Sequence, residues 1–195
     1  MTMAESGTLH DAFLDELRDA YDAEKQVTRA LKKMIKAANS PELRTAFADH
    51  LEETAGQIQR IEDVFASLDE KVKGKHCDGV AGIIEEGASV MEENFDDETM
   101  DACLIASGQR VEHYEMAAYG TLVAWAQVLG HTEAVELLQQ NLDEEKAADK
   151  KLSGLAEDGI NQKAADAVHQ DGDDEPVGAA AGGSIKRSST KSRRR

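Results

Sequence analysis

The chain has 195 residues, 22 basic against 39 acidic for a formal charge of −17, with two cysteines and two prolines. That length builds one well-cored domain rather than two, and two cysteines without a paired motif give no disulfide framework. No run is apolar for long enough to cross a bilayer and no apolar block follows a basic N-terminus, so the expectation is a cytoplasmic protein without membrane contact.

Residues 1–7 are expected to be a flexible lead-in. The first helical pattern runs from about Thr8 to Ala37, with Thr8 and Asp11 placed loosely as a capping box. Its apolar line is Phe13, Leu17, Tyr21, then Glu24, then Thr28, Leu31 and Ile35. Asn39-Ser40-Pro41 ends it, with Ser40 as cap and Pro41 as first residue of a second helix. That helix reaches Leu68 on Phe47, Leu51, Thr54, Ile58, Ile61 and Phe65. Residues 69–98 form a long connection holding a short helix from about Val80 to Glu93. A link this long lets the third long helix, about Glu98 to Leu129, start at the same end as the first rather than fold straight back. Gly130-His131-Thr132 is a tight turn, and Thr132 is the expected cap of a fourth long helix ending near Leu155, on Val135, Leu138, Leu142, then Glu145, Asp149 and Leu152. A short helix near Asn161 to His169 closes the domain.

Two antiparallel hairpins joined by one long crossover make an all-α, ferritin-like four-helix bundle over residues 8–168. Residues 169–195 are low in apolar content and are expected to be a disordered tail. Six basic residues stand within 185–195, leaving 16 against 39 acids elsewhere, a balance of about −23. A body that acidic repels nucleic acid and anionic lipid; by itself it reads first as a heavily solvated helical surface, and it also suits metal cations or a high-salt cytoplasm. The basic end is a candidate for weak, salt-sensitive DNA contact.

The third long helix carries GQRVEHYEMAAYG at 108–120, where Glu112 and Glu115 occupy the seam between Ile105 and Tyr119. The hairpins serve as rulers. A turn near residue 40 sets Glu24 between Glu53 and Gln57, and a turn at 130–131 sets Glu112 opposite Asp149 and Glu115 beside Glu145. Each residue rises about 1.5 Å, so these partners fall within about one turn of each other. His50 lies one turn before Glu53 and Gln57 one turn after it. Acids from four helices therefore meet at one level: Glu24, Glu53, Glu112, Glu115, Glu145 and Asp149. Several ionised carboxylates buried together are prohibitively costly without cations. Protonation is the alternative relief for one or two of them, and salt bridges from Arg110 and Lys146 for others. An oxygen-rich site suits iron or manganese, while zinc favours more His or Cys. His113 points elsewhere, and Tyr21 and Tyr119 stand one turn from Glu24 and Glu115 as core residues able to orient carboxylates.

At these residues the chain resembles the YciE/YciF-type ferritin-like stress proteins. The matching stretches are ELRDAYDAEKQ, HLEETAGQIQRIE, QRVEHYEMAAYGTL and LDEEKAADKKL, within about residues 8 to 158. The resemblance implies a rubrerythrin-like bundle with a di-iron centre and a role linked to stress. It assigns Glu24, Glu53, Glu112, Glu115 and Glu145 as metal ligands. One departure is plain. Ferritin-like sites use Glu-x-x-His on two helices, and no such motif occurs here: the positions after Glu53 and Glu145 hold Gly56 and Ala148. His50, Gln57 and Asp149, each about one turn away, are the candidate substitutes.

The leading functional expectation is thus a homodimeric or larger ferritin-like oxidoreductase binding two iron ions, with manganese as the alternative metal. Its expected small-molecule partner is oxygen or hydrogen peroxide. The rival expectation is a non-enzymatic, nucleoid-associated scaffold whose segment 185–195 contacts DNA.

Overall fold

The computed structural model describes residues 7–170, with side chains to 167. The lead-in and the tail, with its basic segment 185–195, lie almost wholly outside the described residues. Four long helices form the bundle: α1 (Leu9–Ala37), α2 (Pro41–Ser67), α4 (Asp97–Leu129) and α5 (Thr132–Leu155), with α3 (Asp78–Val90) in the crossover. A π-helical turn, Ala156–Ile160, leads into α6 (Asn161–Gln170). No described helix is long and apolar enough to cross a membrane.

Local chemistry sets the boundaries. Thr8 and Asp11 form a full capping box at the start of α1. Ser40 caps α2 from its hydroxyl with Pro41 at the first position. The crossover helix begins two residues earlier than its apolar pattern suggests, because the Cys77 sulfur accepts the Val80 N–H and acts as its cap. Gly130 ends α4 in the left-handed conformation, φ 77°, which costs glycine little. Thr132 is not the cap of α5: the cap position is His131, which makes no side-chain capping bond. Its ring instead turns toward His10, with 3.2 Å between facing nitrogens.

Helix direction corrects one expectation. The third long helix starts where α1 finishes, not where α1 begins. Asp101, near the start of α4, accepts the backbone N–H groups of Asn39 at 2.7 Å and Ser40 at 2.6 Å, at the α1–α2 turn. At the other end His131, in the α4–α5 turn, meets His10. The order is up, down, down, up. A folded-back helix would need only a tight turn, whereas this link must travel the bundle's length and carries α3 along the α1–α4 face.

The core divides into two apolar clusters. One gathers Phe13, Leu17, Phe65, Tyr119, Leu122 and Leu138. The other gathers Val27, Leu31, Phe47, Leu104, Val111 and Leu152. In sequence along every long helix, the residues between these clusters are the polar ones that form the site.

Asp101 is buried and both its oxygens hold backbone donors from the other hairpin. Asp101→Ala is expected to cost about 2 kcal/mol by orphaning those N–H groups, whereas Asp97→Ala on the exposed first turn should stay within about 0.5 kcal/mol. Urea denaturation of both variants checks the contrast.

Candidate metal centre

Glu24, His50, Glu112, Glu115 and Glu145 come from all four long helices and are at most 4% exposed. Ligating atoms of His50, Glu112, Glu115 and Glu145 all lie within 4.8 Å of one another. Each arrives by helical register. On α4, Glu112 and Glu115 are three residues apart and share one face. On α2, the buried line Phe47, His50, Thr54, Gln57, Ile61 alternates three- and four-residue steps, which places His50 and Gln57 inside.

His50 faces two ways. Its Nδ1 lies 3.3 Å from Glu53 Oε2, and its Nε2 lies 3.4 Å from Glu112 Oε1 and 3.7 Å from Glu145 Oε2. The Glu53 acceptor assigns a proton to Nδ1, which turns Nε2 toward the carboxylates. A carboxylate bonded to one ring nitrogen in this way fixes the orientation of the imidazole and leaves its other nitrogen free to face a cation. Glu53 itself is half exposed, and the His50 bond holds its carboxyl below the ordinary range. Two neutral donors reach the layer: the Tyr119 hydroxyl donates to Glu24, and Gln57 Nε2 donates to Glu145 Oε1.

The rest is uncompensated. Glu24 Oε2, His50 Nε2, Gln57 Oε1, Glu112 Oε2, both Glu115 oxygens and Glu145 Oε2 are buried without a hydrogen-bond partner. Burial pushes the Glu24, Glu112 and Glu115 carboxyls well above the usual range, and the neighbouring carboxylates push them further. Among the described residues no lysine or arginine pairs with a carboxylate of the layer. Arg110 is exposed, and Lys146 pairs with Asp143 at 3.6 Å on the surface, so the salt bridges expected from these two do not form there. The nearby guanidinium of Arg60 directs its donors to Asn141 and Glu144. A set of inward oxygens and one imidazole nitrogen, all lacking donors, is the donor set of a hard or borderline cation, and the residues present fit one.

The structure brings together Glu24, Glu112, Glu115, Glu145, His50 and Gln57. Glu53 stays outside, behind His50. Asp149 turns away and accepts from Gln109 at 3.0 Å, with His113 Nε2 3.2 Å from the same oxygen. His113 is exposed, as its position on α4 suggests. Tyr119 meets a site carboxylate, whereas Tyr21 donates to Glu62 at 2.8 Å. His50, a candidate substitute from the sequence, takes a central place because the buried line of α2 runs through it rather than through Leu51 and Ile58, both only half-buried. The three–four alternation from Phe47 through Gln57 to Ile61 is the signal that finds it.

These carboxyls have raised folded-state values, so the unfolded chain releases their protons first as pH rises. Their contribution is greatest below the ordinary glutamate range and declines toward neutrality. Without cations the melting temperature is expected to fall from about pH 5 to about pH 8, and a saturating divalent cation should raise it more at the higher pH. Calorimetry on chelator-treated protein checks this, and a Glu24→Gln, Glu115→Gln variant should flatten the decline.

Comparison with known proteins agrees with this frame. Residues 8–165 match the family model described as a domain of unknown function, DUF892. The chain is 48% identical over 158 residues to Protein YciF of Escherichia coli K12, covering 80% of this chain and 95% of that one. The crystal structure of the E. coli stress protein YciF superposes with a TM-score of 0.77 at 47% identity, covering 80% of this chain and 99% of that one. YcfI of Rhodopseudomonas palustris gives 0.75 at 44% identity, covering 78% and 98%. With the family model spanning all four long helices, this chain belongs to the DUF892 family, the group of YciF-type stress proteins.

Proposed function

We propose that this protein is a stress-related, ferritin-like metalloprotein that holds two metal ions in its carboxylate layer, iron first and manganese second. The observation carrying this reading is the set of buried, partnerless carboxylate oxygens contributed by α1, α4 and α5 around one imidazole and one amide oxygen from α2. Oxygen-dominated donors favour iron or manganese over zinc. When bound, iron supplies ferroxidase-like or peroxide-scavenging chemistry by giving electrons to oxygen or hydrogen peroxide.

The chain's own residues have separate tasks. Glu112 faces both His50 and Glu145 and would be a ligand at the middle of the set. Glu24, oriented by Tyr119, Glu145, oriented by Gln57, and Glu115 would supply further carboxylate ligands. Glu53 fixes the His50 ring from outside. The two apolar clusters on either side limit bulk water at the layer.

Protein purified without chelators is expected to carry two metal equivalents, and to take up two ferrous ions anaerobically that oxidise quickly when air is admitted. Glu112→Ala and Glu145→Ala should each lose most of that metal while keeping helical content. Unchanged metal in both variants would contradict the ligand set.

A second reading rests on the six basic residues within 185–195: a scaffold that contacts DNA phosphates electrostatically. Deleting 185–195 is then expected to abolish DNA retention at low salt. A truncated chain that retains DNA as well as the full one rules this reading out.

A further inference from the structure

The four faces of the bundle are not equally covered. The crossover lays α3 over α1 and α4 and makes no comparable packing with α2 or α5. Behind the layer on that covered side stand Ala23, Cys77, Val80 and Tyr119, each at most 2% exposed. On the opposite side, between α2 and α5, a cleft of about 70 Å³ leads inward. Glu112 and His50 form its floor, so it ends on the layer itself. Its walls include three alanines, Ala46, Ala147 and Ala148, where larger side chains would close it. At its mouth stand Glu53 and Lys151, both about half exposed, the latter paired with Asp49 at 2.7 Å.

We propose that the α2–α5 cleft is the port of the carboxylate layer, and that it admits partly dehydrated cations and oxidants of only a few heavy atoms. The proposal rests on reading the layer as a cation site. A water occupies about 30 Å³ in the liquid, so the cleft has room for about two. Hydrogen peroxide, dioxygen or a partly dehydrated ion fits that space, and an organic substrate does not. The Glu53 carboxylate at the mouth draws cations electrostatically. His50, with one nitrogen at the mouth and the other at the layer, is the last side chain an entering ion meets.

Cobalt(II) uptake, followed by its visible absorption, separates entry from binding. Plugging the walls with Ala147→Phe, and independently with Ala46→Leu, should slow uptake at least about tenfold, because entry then waits on a conformational opening, while the final stoichiometry stays at the wild-type value. Ala147 is exposed, so its replacement leaves the core intact. Gly120→Leu on α4, where an added Cβ meets open space, is the control and should load at the wild-type rate. Wild-type uptake rates in both plugged variants would overturn the port but not the metal site, and so would equal slowing in the control. A wild-type protein that binds no cobalt would overturn the site and the port together. In the ferrous-loaded protein, hydrogen peroxide should oxidise the metal quickly and cumene hydroperoxide slowly; equal rates would overturn the size limit.

Discussion

Mutual repulsion among buried glutamates is the constraint on which this molecule turns. Glu24, Glu112, Glu115 and Glu145 share one interior level with almost no donors, and each charged one raises the cost of the next. An apolar layer of the same volume would be simpler and more stable. The bundle tolerates the arrangement because apolar clusters above and below hold the helices in register whatever the middle layer does. Stability and chemistry are therefore assigned to different layers of one core.

The long crossover follows from the same division. A bundle folded back through tight turns would leave each face open to solvent alike. Here the connection travels the full length and places α3 against α1 and α4, so one side of the layer is sealed by chain that also joins the hairpins. Asp101 closes the arrangement at the far end by giving both its oxygens to the α1–α2 turn. The layer is left approachable from the α2–α5 side, where alanines leave room.

Much of this was legible in the residues before any coordinates. Apolar periodicity and the Ser40-Pro41 and Gly130 punctuation located the four long helices to within a residue or two. Counting from the two hairpin turns put Glu24, Glu112, Glu115 and Glu145 at one level, because rise per residue fixes axial position. Rotation about the axis was harder. Glu53 sits only one turn from His50 yet faces outward, since the buried line on α2 passes through His50 and Gln57. Asp149 shares the level as counted, but Gln109 and His113 offer hydrogen bonds on the flank of α4 that seam counting does not register. The direction of α4 was missed for a different reason: connection length shows that a crossover exists, while a buried contact such as that of Asp101 with the α1–α2 turn shows where it ends.

The most direct test of the account is anomalous diffraction at the iron edge from crystals grown with ferrous ion. The expected result is two peaks inside the bundle, among His50, Glu24, Glu112, Glu115 and Glu145. Iron found only on surface carboxylates, with the interior glutamates bonded to one another through protons, would contradict it.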